Sequence, residues 1–369
     1  MEKKAKIIIA GGGTGGHIFP ALAIANALKK LKPQLEILFI GAKGKMEMEK
    51  IPEAGYDIRG IDMAGLNRSN MFKNLSLPVK LIKSYFQVKD IFKQFPPDAV
   101  IGVGGYSTFP VLRYAQKQGI PTYIHESNSF AGKSNIMLGK GAEKIFVASD
   151  GMEKFFPAEK IMITGNPVRE SIVESYITKP EALNFFGLQE GKKTLLVIGG
   201  SLGAKSINDA IAKHVSDINT LDIQLIWQTG KNNAEEYVRI KNYVPNNVYV
   251  STFIKEMDRA YAAADVVLAR AGAMTVSELC VVKKPVIFVP YPYAAEDHQT
   301  MNAKNLVDKN AAEMVKDSEV TAKLYPAVTD LLFDEERQRL MAENISKLAV
   351  TNADEVIANE ILKDIYRSE

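Results

Sequence analysis

KIIIAGGGTGGHIFPALAIANAL, residues 6–28, reads as a short apolar strand, a glycine-rich loop and an amphipathic helix. The chain repeats this grammar once. TLLVIGGSLGAKSINDAIAKHV, residues 194–215, has the same three parts in the same order. A glycine run between a strand and a helix lets an anion approach backbone N–H groups at the helix start. The repeat therefore raises two questions: which anion, and why His17 follows directly on the last glycine of the first loop.

Short apolar runs alternate with helical stretches after both copies. ILFIGA, AVIGVGG, PTYIHES and KIFVAS follow the first; QLIWQTG, VYVSTFI, DVVLARAG and PVIFVPY follow the second. Strand and helix in alternation imply parallel sheets wound by right-handed crossovers. The expected fold is α/β, two Rossmann-like doubly wound domains facing a cleft. ITGNPVRES, 163–171, breaks regular structure with Gly165, Asn166 and Pro167, which puts the expected domains at 1–165 and 166–350. A last helix within 351–369 would pack back on the first domain. One domain with a long insertion is the alternative.

With 369 residues, 46% hydrophobic and 24% charged, the chain has the make-up of an ordinary globular protein with room for two domains. Cys280 is its only cysteine, which leaves no disulfide framework and no thiolate zinc site and fits a reducing cytoplasm. The N-terminal apolar stretch is too short for a signal peptide, and no run reaches the roughly 18 apolar residues of a transmembrane helix. A net charge of +3 gives no argument for nucleic acid.

Gly11, Gly13 and Gly16 fit the dinucleotide spacing G-x-G-x-x-G. That reading also needs an acid at the end of the second strand for the ribose diol. Here the strand ends ILFIGAKGK, with Lys43 and Lys45. A Walker loop fails as well, because Ser127 stands where the leading glycine of GKS, 132–134, would be. The second half offers RAGAMTVSELC, 270–280. Gly272 permits a tight turn, Thr275 lies near a helix start suited to a diphosphate, and Glu278 follows one turn on, able to accept two ribose hydroxyls. Thr275 and Glu278 also spell a capping box, T-x-x-E.

GGGTGGHIFPALA, GGYSTFP, HESNSFAGKSN, TGNPVR, GGSLGA, RAGAMTVSE and DHQTMNA, in this order, resemble the motifs of the MurG family of bacterial glycosyltransferases. The resemblance covers nearly the whole chain. It implies a GT-B fold and an inverting transferase that moves N-acetylglucosamine from UDP-GlcNAc to the 4-hydroxyl of the MurNAc sugar of lipid I, giving lipid II for peptidoglycan. The alternative is another GT-B enzyme using UDP-GlcNAc, such as a 2-epimerase.

The resemblance also implies roles. Uracil would lie near Arg169, its edge read by backbone around Phe253 and Ile254. Ser201 and Thr275 would contact the diphosphate, with the N–H groups of Ala273 and Met274. Glu278 would bind the ribose and Gln299 the sugar, where the single glutamine of DHQTMN departs from members with two and leaves room for His298. Asn128 would reach the donor sugar, while Thr14, Gly15 and Gly16 would close over the diphosphate. Tyr106 and Asn135 would line the acceptor side.

His17, at the loop–helix junction, has a pKa suited to taking the acceptor's proton; it alternatively only positions the loop. His125 or Glu126 would share or take over that role. No D-x-D carboxylate pair stands ready for a divalent ion, so neither metal nor other cofactor is expected. A polyprenyl acceptor implies peripheral attachment to the cytoplasmic face of the bacterial inner membrane. Residues 66–95 suit an anionic lipid surface: Met71, Phe72, Leu75, Leu77, Leu81, Ile82, Tyr85 and Phe86 stand among Arg68, Lys73, Lys80, Lys83, Lys89 and Lys93, with Asp90 the only acid. A core-facing helix with a solvated lysine face has the same pattern.

Overall fold

The computed structural model describes residues 4–63, 77–232, 237, 240 and 247–366. The chain divides into two compact units, one of Met1–Arg169 with Asn352–Glu369, the other of Glu170–Thr351.

The first unit is built on seven strands: β1 (Lys6–Ala10), β2 (Glu36–Ala42), β3 (Asp57–Ile61), β4 (Ala99–Gly102), β5 (Thr122–Glu126), β6 (Lys144–Val147) and β7 (Ile161–Ile163). All pair in parallel, in the order β3-β2-β1-β4-β5-β6-β7. Such a sheet is covered on both faces, which is why β1 has three isoleucines in a row rather than alternating with polar residues. Ile7 and Ile9 point to one face and Ile8 and Ala10 to the other, all fully buried. On the first face lie Ile18, Ala21, Ile24, Ala25 and Leu28 of α1 (Gly15–Leu31), beside Ile357, Ala358, Ile361 and Leu362 of the final helix, Ala353–Tyr366. The second face is covered by Val88 and Phe92 of α3 (Leu77–Gln94) and by Val111 and Leu112 of α4 (Thr108–Lys117). Between β2 and β3 runs α2 (Glu47–Glu53), and α5 (Lys133–Gly139) joins β5 to β6.

The final helix thus belongs to the first unit. Lys144 pairs with Glu360 at 2.7 Å and with Asp364 at 3.0 Å, and Tyr123 donates to Asp364 at 3.1 Å.

The second unit repeats the plan with β8 (Thr194–Ile198), β9 (Gln224–Gln228), β10 (Val248–Ser251), β11 (Val266–Ala269), β12 (Val286–Phe288) and β13 (Glu313–Met314). These strands are also parallel, in the order β10-β9-β8-β11-β12-β13. Trp227 is wholly buried here, and its indole donates to Asn208 Oδ1 at 3.0 Å.

The chain reverses its winding direction between β1 and β4 in one sheet and between β8 and β11 in the other. In doubly wound sheets ligands bind outside the carboxyl ends of the strands at this switch point. The register is level there, with Ala10 opposite Gly102 and Ile198 opposite Ala269. The glycine loops named above are the loops that leave these strands. Among the described residues, no helix is long and apolar enough to cross a membrane.

Candidate active site

In the first unit two loops lock together. Gly12 N–H donates to Gly104 O at 3.2 Å, and Thr108 Oγ1 lies 3.1 Å from Ala10 O and 2.9 Å from Gly104 O. Thr14 is the N-cap of α1, in extended conformation with no side-chain cap bond, so Gly15 and Gly16 form its first turn. His17 comes next. Its Nδ1 lies 3.0 Å from Gly12 O and 3.5 Å from Thr14 Oγ1. A carbonyl can only accept, so Nδ1 carries the hydrogen and Nε2 is the basic nitrogen. The ring lies so close to Gly104 (φ +94°) that a Cβ there would come within 2.7 Å of Cδ2 and Nε2. Tyr106 is exposed beside Gly13, with Lys45 over its ring at 5.9 Å.

Glu47, to which the sequence analysis assigned no role, stands beneath this loop. It is 1% exposed, and its carboxylate accepts from Gly13 N–H at 2.7 Å and Ala42 N–H at 3.0 Å. Gly12 (φ +143°) makes room for it, since a Cβ at that position would fall 2.3 Å from Glu47 Cδ.

His125 and Glu126 end β5. His125 has no exposed surface, and burial, helped by the nearby His17, pushes its imidazole down to about 4. Its Nε2 is buried without a hydrogen bond, and Nδ1 lies 3.4 Å from Ser127 Oγ. Glu126, 4% exposed, accepts from Asn128 N–H at 3.1 Å, Asn128 Nδ2 at 3.3 Å, Gly132 N–H at 3.1 Å and Asn135 Nδ2 at 2.9 Å. Four donors fill a carboxylate's acceptor sites. In this structure Glu126 is engaged in shaping the 126–135 loop and His125 is enclosed, whereas His17 stands at the open junction of loop and helix. Asn128 stays half-buried at the tip of that loop, whereas Asn135 is buried behind it. Arg169, which ends the first of this unit's two segments, lays its guanidinium over Phe19 of α1 at 4.8 Å.

In the second unit Ser201 sits in the loop after β8. Gln228, at the end of β9, spans two neighbours: Nε2 donates to Gly200 O at 3.3 Å, and Oε1 accepts from Ile254 N–H at 2.9 Å. The Ile254 amide is thus engaged, while the Phe253 side chain is exposed.

After β11, Gly272 is the N-cap of the helix Ala273–Val282. The first intrahelical bond runs from Val276 N–H to Gly272 O, so the N–H groups of Ala273, Met274 and Thr275 form the open first turn. Thr275 lies inside the helix, which rules out the capping box with Glu278. That carboxylate, 6% exposed, instead accepts from Tyr261 OH at 2.9 Å.

Gln299 Oε1 accepts from Tyr291 N–H at 3.0 Å, and His298 Nδ1 donates to Ala295 O at 2.7 Å. Glu296 and Asp297, just before them, hold left-handed backbone conformations (φ +50° and +54°), a strain common at ligand sites. Arg270 secures the neighbouring turn through Val289 O and Pro290 O, both at 3.0 Å, and an ion pair with Asp317.

On the helix proposed for lipid contact, Ser84, Val88 and Phe92 face the core while Val79, Leu81, Ile82 and Phe86 are exposed. Tyr85 packs edge-on against Tyr114, 5.2 Å between centroids. Lys83 pairs with Asp62 at 2.8 Å and, with Gln87 and Lys43, holds that carboxyl down to about 2. Arg68, Met71, Phe72, Lys73 and Leu75 lie outside the described residues, as does the side chain of Leu77.

Models of the glycosyltransferase family 28 N-terminal and C-terminal domains match residues 7–147 and 194–358. A Bacteroides thetaiotaomicron protein named UDP-N-acetylglucosamine--N-acetylmuramyl-(pentapeptide) pyrophosphoryl-undecaprenol N-acetylglucosamine transferase is 50% identical over 367 residues, 98% of this chain and 98% of its own. A protein of the same name from Cytophaga hutchinsonii is 47% identical over 364 residues, 99% and 98% of the two chains. Among solved structures, MurG of Acinetobacter baumannii matches with a TM-score of 0.77 at 29% identity, over 97% of this chain and 99% of that one. UDP-GlcNAc 2-epimerase from Neisseria meningitidis reaches a TM-score of 0.67 at 16% identity, over 97% and 100%, which shows a shared fold alone. With a family model on each glycine-loop sheet and relatives at half identity nearly end to end, this chain belongs to glycosyltransferase family 28, as the resemblance to MurG implied.

Proposed function

We propose that this enzyme, a UDP-GlcNAc-dependent glycosyltransferase, transfers N-acetylglucosamine from UDP-GlcNAc to the 4-hydroxyl of the MurNAc sugar of lipid I, forming lipid II in peptidoglycan synthesis. The observation that carries this reading is the near end-to-end identity of about half with relatives named for that reaction.

The acceptor oxygen attacks the anomeric carbon from the face opposite UDP, and the bond from that carbon to the diphosphate oxygen breaks. Its electron pair leaves with UDP, and the hydroxyl proton passes to His17 Nε2. Gly12 O supports the required tautomer, because it holds the hydrogen on Nδ1. The donor belongs to the second unit in this reading. The first-turn N–H groups of Ala273, Met274 and Thr275, with Ser201, offset the charge that builds on the leaving diphosphate. Glu278 takes the ribose hydroxyls, Gln299 the sugar and Arg169 the uracil side, with Phe253 and Ile254 bounding the base. On the first unit Thr14, Gly15 and Gly16 close on the diphosphate, Asn128 meets the donor sugar, and Tyr106 and Asn135 shape the acceptor side. The working division of labour gives the acceptor to the first unit and the donor to the second. The exposed apolar row of α3 and its lysines support attachment to the cytoplasmic face of the membrane, where the acceptor resides.

Labelled UDP-GlcNAc and a short-chain lipid I analogue should give a labelled disaccharide product with free UDP. His17→Ala should lower turnover by roughly 10²–10⁴-fold with UDP affinity near the parent value. If His17→Asn, which hydrogen-bonds but is not basic, restores most of the rate, the residue only positions the loop.

A further inference from the structure

Gly12 C=O and Gly13 N–H belong to one peptide unit. Its oxygen accepts from His17 Nδ1 at 3.0 Å, and its N–H donates to Glu47 Oε2 at 2.7 Å. Carboxylate, amide and imidazole therefore form an unbroken chain of hydrogen bonds. We propose that Glu47 is a positioning residue for the transfer reaction: through the Gly12–Gly13 peptide it fixes the His17 tautomer and stabilises the imidazolium that forms when Nε2 takes a proton. This rests on the reading of His17 as the base and extends it to a residue that touches no substrate.

A carboxylate bonded to an amide N–H draws that hydrogen toward itself and shifts amide electron density onto the carbonyl oxygen. The oxygen then becomes a stronger acceptor, and linked hydrogen bonds strengthen one another in a poorly solvated interior. The imidazolium's Nδ1–H is a stronger donor than that of the neutral ring, so the gain is larger in the protonated state. The effect is thus differential, as catalysis requires. The packing is consistent with a dedicated arrangement. Glu47 is buried, its second oxygen is held by Ala42 N–H at 3.0 Å, and glycine at position 12 lets the carboxylate sit under the loop. Other ionisable groups near the ring and its loop are His125 of β5, Tyr106 with Lys45 on its ring, and Arg169 on Phe19. His125, held down to about 4 by burial, is neutral while His17 takes its proton and sets no charge against it.

The chain has four histidines, so their imidazole titrations separate by NMR, with His17 assigned from its loss in His17→Gln. Glu47→Gln keeps the shape but removes the charge. The His17 titration midpoint should fall in this variant, kcat should drop about tenfold or more, and the acidic limb of the rate profile should move to lower pH. Glu47→Asp, a carboxylate set back by one methylene, should show the same shifts at smaller size, and it serves if Glu47→Gln does not fold. An unmoved His17 midpoint in a folded variant, with only a lower Tm, would overturn the proposal and leave Glu47 a structural brace. A midpoint that falls while kcat stays at the parent value would uphold the coupling and remove His17 from the base role instead.

Discussion

Tyr261 donates its phenolic hydrogen to Glu278 Oε2 at 2.9 Å, with both side chains buried in the second unit. A carboxylate on an open helix face has several rotamers; this bond selects one before any ligand arrives. Preorganisation of that kind lowers the entropy lost on binding. If Glu278 holds the ribose diol, Glu278→Ala should raise the donor KM at least tenfold, since a hydrogen bond to a charged group contributes about 1.5–3 kcal/mol. Tyr261→Phe should raise it severalfold with kcat near the parent value. A donor KM that stays put in both variants, beside a lower Tm, would reduce the pair to a packing role.

The outward face of α3 makes a separate prediction. Val79, Ile82 and Phe86 follow one another at helical spacing on the side away from Val88 and Phe92. Their replacement by serine should weaken binding to anionic vesicles at least tenfold, because each loses the burial of a large side chain in lipid, about 1.5–3 kcal/mol. Tm should hold, as none lies in the core. Turnover of a water-soluble acceptor should hold too. Vesicle binding by the triple variant equal to the parent's would move the membrane contact elsewhere. Raised salt should weaken the parent's binding through Lys80, Lys89 and their neighbours. Lys83, already paired with Asp62, should matter least.

The two-sheet plan was legible because a parallel sheet buried on both faces forces apolar runs such as KIIIA and TLLVI, and those runs announce themselves. β3 and β7, at the edges of the first sheet, and two-residue β13 were not read: DIRGI carries two charges, Asp57 and Arg59, and the other two are three residues or fewer. Glycine loops were legible for the same local reason. The side chains that support them were not. Glu47 returns to Gly13 from 34 positions on, Tyr261 reaches Glu278 across 17, and Gln228 reaches Ile254 across 26. Each sits in a stretch whose local pattern is ordinary, so only the folded sheet brings it to the site. An acid shortly after the second strand, in KGKMEMEK, was the one available signal for Glu47. The hydrogen bonds that Glu126 accepts within HESNSFAGKSN were hidden for a related reason: a polar cluster in the sequence does not show which of its members donate to which.

His125 gives the last prediction, which concerns stability rather than rate. Its imidazole is enclosed and held at about 4, whereas in the unfolded chain it titrates near 6.5. For a histidine depressed in this way, the unfolded state binds more protons between those values. Stability therefore rises with pH across the window, and it is lost as pH falls from about 6.5 toward 4. A full shift of this size corresponds to roughly 3 kcal/mol by pH 4. His125→Gln, which fills the site without a titrating ring, should lack this component. Hydrogen exchange of the β4–β6 amides, corrected for intrinsic rates, would read the first unit by itself; fluorescence would not, since the single tryptophan, Trp227, lies in the second. The gap between parent and variant protection should be constant above pH 7 and should shrink, or reverse, as pH falls below 6. Parallel profiles over the whole range would mean that His125 is protonated as easily folded as unfolded, and its enclosure would then not keep it neutral.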